Sequence, residues 1–242
     1  MSLARRVRAQ SISQRADRVL ARRGDTLATV AFLERLARAG PALELAIGTG
    51  RVALPLAARG IRVDGVDLSP AMVAKLRTKP GGDQISVTMG NLADVPVRGT
   101  YPLIFVVFNS LCNLVTQDEQ VRCFENVAAH LTADGSFVVE AFFAEPEWLR
   151  DGQYVNAETV DVDEVRLDVC RIDAVAQRLD ESHVVFSPAG VHLYPVATRY
   201  AWPSELDLMA RIAGLRLKER WADWNREPFT AAGNTYVSVY GR

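Results

Sequence analysis

Two acids and a glycine bend carry the clearest chemistry in this sequence. The apolar run Leu43-Glu44-Leu45-Ala46-Ile47 ends in Gly48-Thr49-Gly50. A second apolar run ends in Val66-Asp67-Leu68-Ser69-Pro70, with Asp67 19 residues after Gly48. This is the layout of a site for an adenosine-bearing cofactor at the edge of a parallel sheet. Lacking Cβ atoms, Gly48 and Gly50 let the backbone approach a ligand closely. Asp67 closes its strand where a carboxylate can accept hydrogen bonds from both hydroxyls of a ribose.

Other candidate groups are fewer. Glu140 lies inside an otherwise apolar run, near the end of a strand. Buried without a partner it would be costly, so it needs a hydrogen bond or a ligand. His192 is the histidine best placed for catalysis. Counting by two, it shares a strand face with Tyr194, Val196, Thr198, Tyr200 and Trp202. That face suits a substrate pocket, or an ordinary strand with its polar side in water. His183, in the preceding run, is a weaker candidate. Asn109 and Asn113 could bind a cofactor or orient an acceptor, and Trp221, Trp224 and Phe229 could wall a pocket. The histidines and cysteines lack ligand spacing, so no metal site is expected.

These residues need elements to hold them. Asp25 can cap a helix carrying Leu27, Val30, Leu33, Leu36 and Ala37 on one side, stopped by Gly40-Pro41. Strands are expected at 42–47, 61–67, 84–89, 101–108 and 136–142, alternating with helices. Ser69 and Pro70 open one helix, and Thr116 with Glu119 forms a capping box for another. The rhythm then changes. Residues 153–160, 164–175, 178–187 and 190–202 read as antiparallel strands, the last an edge strand or a bulged one because it contains Pro195. Pro203 opens a helix ending at Gly214. Strands at 215–221 and 234–240 are joined too tightly for a helical crossover, so they are antiparallel neighbours. The expected fold is α/β, a doubly wound, mostly parallel seven-stranded sheet with the last strand antiparallel and a small antiparallel β insertion. The expected divisions are a basic arm over 1–24, a cofactor-binding core over 25–150, the insertion over 151–202 for substrate or oligomer contacts, and 203–242 completing the core sheet.

Gly48-Thr49-Gly50-Arg51-Val52-Ala53 also fits a dinucleotide fingerprint, which is weak alone. Glu44, four residues before Gly48, is poorly placed for a pyrophosphate but well placed to hold a loop facing an ammonium group. With these motifs the chain resembles the class I S-adenosylmethionine-dependent methyltransferases, and within them the aminosugar N-methyltransferases. The resemblance covers roughly 25–242. It implies methyl transfer from S-adenosylmethionine, leaving S-adenosylhomocysteine, to a nitrogen or oxygen of a small molecule. It implies a cofactor site drawn from Glu44, Ala46, Gly48, Thr49, Gly50 and Arg51, then Asp67, Leu68 and Met72. Asn91 and Leu92 would serve the adenine, and Phe108 and Asn109 the methionine end. Asn91 stands where the family usually has an aspartate. Tyr101-Pro102 opens the fourth strand where an aspartate is frequent, and 16–23 lacks the tyrosines common there. Asn113, Tyr194, Tyr200 and Trp224 are the expected substrate contacts, with Glu140 and His192 the candidate bases. The alternatives are a cofactor-binding protein of the same fold without turnover and an NAD-dependent oxidoreductase.

Bulk properties agree with such an enzyme. The chain has 242 residues, nearly half of them apolar, and a net charge of −1. No global field favours nucleic acid or an acidic membrane. A local exception is 1–23, with seven arginines against Asp17. Cys112, Cys123 and Cys170 are odd in number and unpaired in spacing, which argues for a reducing compartment. Cys112 reads as a packing residue. With no signal-peptide core and no long apolar run, the expected location is cytoplasmic. Insertion sheets can pair between subunits, so a homodimer is plausible.

Overall fold

The computed structural model describes residues 24–38 and 40–242. The arginine-rich arm expected over 1–24 therefore lies almost wholly outside the described residues. Two β-sheets organise the rest. The larger has seven strands. β1 (Ala42–Leu45), β2 (Val63–Asp67), β3 (Ser86–Met89), β4 (Tyr101–Val106) and β5 (Leu131–Phe142) are joined by β10 (Arg216–Trp221) and β11 (Thr235–Gly241). Their order is β10-β11-β5-β4-β1-β2-β3. β1 pairs in parallel with β2 and β4, and β11 runs antiparallel between β5 and β10. The tight connection after β10 requires that reversal. The chain direction changes sides between β1 and β4, and ligands of open α/β sheets bind at the carboxyl ends beside such a switch.

Helices cover both faces. α1 (Thr26–Ala37), α2 (Ala53–Ala57), α3 (Pro70–Arg77), α4 (Gln117–His130), α5 (Pro146–Asp151) and α6 (Pro203–Ile212) follow in chain order. The expected caps form at two of them. Ser69 Oγ accepts from the Met72 N–H, and Thr116 Oγ1 accepts from the Glu119 N–H. α1 differs from expectation. Its buried side carries Val30, Phe32, Leu33 and Ala37, while Leu27 is 73% exposed. Asp25 makes no side-chain cap there, because its carboxylate is turned to Arg51. Burial of each large apolar side chain on these faces contributes ~1.5–3 kcal/mol.

The second sheet is β6 (Gln153–Val160), β7 (Val165–Asp173), β8 (Arg178–Ser187) and β9 (Gly190–Arg199), in sequential antiparallel order. Pro195 lies on the edge strand β9, where its missing N–H breaks no ladder. The expected strand to 202 is shortened. β9 stops at Arg199, and Tyr200 turns into a small core with Ala144, Cys170, Ile172 and Leu179. The count by two therefore fails at its end, and Tyr200 is 1% exposed packing instead of a wall on an open face. α5 was also not anticipated, since six residues are too few to show a helical period.

A buried polar knot ties the second sheet to α4 and α6. The Arg199 guanidinium donates to Gln120 Oε1, Gln177 Oε1 and Glu205 Oε1. Gln120 in turn donates to the carbonyls of Leu114 and Arg199. This fixes where β9 re-enters the core, and β9 packs against the 110–113 turn that follows β4.

Candidate active site

The residues with the clearest chemistry converge at the carboxyl ends of β1, β2 and β4. The loop after β1 departs from ordinary backbone. Ala46, Gly48 and Gly50 have φ of 59°, 59° and 80°, and after β4 Phe108 and Asn109 have 56° and 55°. Glycine takes this region freely. Held there, a residue with a side chain costs of order 1–3 kcal/mol, and such strain concentrates at functional sites. A Cβ on Gly50 would sit 2.4 Å from Leu76 Cδ1, so helix α3 closes against the bend. Lys79 Nζ donates to the Thr49 carbonyl at 2.9 Å and pins the loop from below.

Asp67 ties the two motifs together. Its Oδ2 accepts from the Gly48 N–H and its Oδ1 from the Ser69 N–H, both at 2.7 Å. Burial raises its carboxyl above the usual range, and the Ser69 and Gly48 N–H groups oppose that rise. Leu68 beside it is 52% exposed and Met89 48%, an apolar edge open to a flat ring. Leu92 is buried at the neighbouring loop, and Asn91 Oδ1 accepts from the Ala93 N–H at 3.1 Å, which shapes that turn.

Glu44 lies beneath the bend, 2% exposed, with its Oε2 lacking a hydrogen-bond partner. Burial pushes it up to about 8, against the pull of the Arg51 guanidinium and the Ala53 N–H. A buried acid in this condition is matched by a cation placed near it. Asn109 Oδ1 is likewise buried and unpartnered at the end of β4. Arg51 donates to Asp25 Oδ1 and Thr26 Oγ1 and stands 5.9 Å from the Phe108 ring, so it links α1 to the ends of β1 and β4.

Glu140 is 4% exposed, and its Oε2 accepts from the Phe108 N–H at 2.6 Å. It lines a cavity of about 120 Å³ together with Asp25, Asp223, Trp224, Asn225 and Tyr236. Trp224 is 3% exposed and meets Phe32 edge-to-face at 5.4 Å.

The comparisons with known proteins decide the family. The model of a methyltransferase domain matches residues 42–135, the segment that carries both acids. The CcbJ methyltransferase from Streptomyces caelestis is 39% identical, with a TM-score of 0.84 over 90% of this chain and 89% of that one. The chain belongs to the S-adenosylmethionine-dependent methyltransferases. A cypemycin N-terminal methyltransferase from Streptomyces sp is 25% identical over 83% of this chain and 82% of that protein. A dTDP-3-amino-3,6-dideoxy-alpha-D-glucopyranose N,N-dimethyltransferase from Streptomyces fradiae is 32% identical over 51% and 47% respectively. The nicotinamide alternative falls with this assignment.

The methyltransferase's own residues fit its cofactor. S-adenosylmethionine carries an ammonium, a sulfonium and a ribose diol. The unpartnered Glu44 and Asn109 oxygens have the acceptor chemistry that an ammonium group requires. Asp67 retains acceptor capacity on both oxygens for the diol. The Gly48 N–H bond joins the loop of Glu44, Ala46, Gly48, Thr49 and Gly50 to Asp67, and Met72 reaches within 3.2 Å of where a Gly48 Cβ would stand.

The expected substrate and catalytic groups divide. Glu140 and Trp224 share the cavity. Asn113 is exposed on the turn after β4. His192 is exposed near the tip of β9, opposite Val185, with its ring 6.5 Å from that of Tyr194. Tyr194 faces His183 across the ladder, and His183 pairs with Asp168. Tyr154 donates to Glu181 on the same sheet face. Sequence reasoning missed Asp25 and Asp223 as cavity residues, having read the first as a helix cap only. It also missed that Glu158, Asp168 and His183 bring ligating atoms within 4.8 Å of one another. They sit on three strands, Glu158 at a bulge in β6, so no linear spacing shows them. Cys112 is buried, and burial pushes its thiol up to about 12, which suits packing rather than attack. Among the described residues no helix is long and apolar enough to cross a membrane.

Proposed function

We propose that this methyltransferase alkylates an amine nitrogen of a small-molecule acceptor. The observation that carries the reading is a carboxylate-lined cavity beside the end of β5. Asp25, Glu140 and Asp223 border it, and Glu140 is hydrogen-bonded to Phe108. Asp25 is paired with Arg51, and the Glu140 and Asp223 carboxylates beside it favour a cationic amine over an anionic acceptor. Two relatives support the reading by name, one an N-terminal methyltransferase and one an N,N-dimethyltransferase of an aminosugar.

The transfer is an in-line displacement. The acceptor lone pair forms the new N–C bond as the S–C bond breaks, and the thioether leaves neutral. The cofactor supplies an already activated methyl group. The protein's task is alignment and exclusion of water, effects that together reach on the order of 7–11 kcal/mol in well-oriented reactions. An ammonium must first give up its proton to solvent, and Glu140 is proposed to hold the amine through a hydrogen bond during that step. Trp224 walls the same cavity. Asn113, Tyr194 and His192 are proposed as contacts for parts of the acceptor that extend beneath the second sheet. Cytoplasmic location, the absence of a nucleic-acid partner and a dimer paired through the second sheet remain parts of this proposal.

The test is turnover against a panel of small amines and matched alcohols, with S-adenosylhomocysteine and methylated product both measured. N-methyl products are expected. Products methylated only at oxygen would overturn the assignment.

A further inference from the structure

Trp224 poses a requirement that the fold leaves unmet. Its indole N–H is buried, has no hydrogen-bond partner, and belongs to a side chain that lines the cavity beside Glu140. Indole nitrogen donates only, so the unmet need is for an acceptor atom. The ring cannot swing outward to find one. It is wedged edge-to-face on the fully buried Phe32. Neighbours do not supply the atom either. Asp223 Oδ1, the nearest carboxylate in sequence, is turned to the N–H groups of Asn225 and Glu227. Buried donors without partners are rare in folded proteins, and at a cavity they mark the place of a ligand or an ordered water.

We propose that this cavity is the anchoring subsite of the acceptor, and that the Trp224 N–H takes a hydroxyl or ether oxygen adjacent to the amine. The inference rests on the amine reading above and adds the second half of the recognition. The Glu140 carboxylate selects the nitrogen, and Trp224 selects an oxygen near it. The acceptor then carries an oxygen function beside its amine, which a simple alkylamine lacks. At about 120 Å³ the cavity admits one such end of a molecule. The remainder of the acceptor extends outward.

The test uses the full chain saturated with S-adenosylhomocysteine and carrying 15N-labelled indoles. The Trp224 signal is identified by its loss in Trp224→Phe, which keeps the ring against Phe32. Three probes are titrated, namely glucosamine, glucose and cyclohexylamine. Glucosamine is expected to move the Trp224 N–H signal saturably and to bind more tightly than the other two. Trp224→Phe is expected to weaken glucosamine roughly tenfold, the scale of one hydrogen bond, with S-adenosylhomocysteine affinity unchanged. An unmoved signal, cyclohexylamine binding as well as glucosamine, or an unaltered affinity in Trp224→Phe would overturn the proposal. So would movement of the signal by S-adenosylhomocysteine alone, which would give the cavity to the cofactor. Glucose binding as tightly as glucosamine, with the signal moving, would sustain the oxygen contact while removing the amine reading.

Discussion

The carboxylate of Asp67 accepts the Gly48 N–H at 2.7 Å, so the acid closing β2 directly holds the bend that follows β1. One side chain therefore shapes the loop and keeps lone pairs for the ribose contact proposed for it. Asp67→Ala removes both roles. Cofactor affinity is expected to fall by about 1–3 kcal/mol, from unmet hydrogen bonds at a buried site. Isothermal titration with S-adenosylhomocysteine reads this directly, and an unchanged Kd would place the ribose elsewhere.

Glu44 gives a pH-linked signature. Its carboxyl is pushed up to about 8, so near pH 7 the free protein holds it mostly protonated. A cation bound close by favours the charged form. Cofactor binding at pH 7 is thus expected to release a proton, seen as a dependence of the calorimetric heat on buffer ionisation enthalpy. Glu44→Gln should abolish that dependence. A wild-type heat that is the same in all buffers would contradict a cationic group at Glu44.

Glu140→Gln keeps an oxygen able to accept from the Phe108 N–H but removes the charge. Charge-assisted hydrogen bonds contribute about 1.5–3 kcal/mol. The acceptor KM or kcat/KM is expected to worsen by roughly tenfold to a hundredfold, by the usual conversion. Cofactor affinity should change little. Equal losses in both would indicate that Glu140 only braces β4.

The Arg199 knot bears on stability. Burial raises the Glu205 carboxyl, but hydrogen bonds from Gln177, Arg199 and Gln117 outweigh it and leave the group below its ordinary value. A depressed carboxyl stabilises the fold above its unfolded pKa and loses that contribution as pH falls through the folded value. Glu205→Gln should therefore lower Tm at pH 7, and the gap to wild type should close as the medium is acidified below the ordinary glutamate range. Arg199→Met leaves the acid without its main partner and should cost about 3–5 kcal/mol in denaturant unfolding. A gap that widens in acid would exclude this role for Glu205.

Much of the fold could be read from local patterns. Ser69 with Pro70 and Thr116 with Glu119 announce their helices through side chains that cap them, and the structure shows those bonds. The reversal of β11 follows from a connection too short for a crossover. The four strands of the second sheet were visible through alternation and turn residues. Illegible features depend on long-range pairing. Tyr200 leaves its strand because Arg199 is drawn into the knot with Gln120, 79 residues away. Asp25 turns from its helix toward Arg51, 26 residues on. Both acids of the cofactor wall were readable because a glycine bend marks them in sequence. The cavity was not, because Asp25, Glu140 and Trp224 come from three distant segments and meet only after the sheet is assembled.

A structure of the chain with S-adenosylhomocysteine tests the whole account most directly. The expected result has the ribose diol on Asp67, the ammonium near Glu44 and Asn109, and the sulfur facing the Glu140–Trp224 cavity. A nucleoside bound away from Asp67, or a sulfur turned from that cavity, would contradict it.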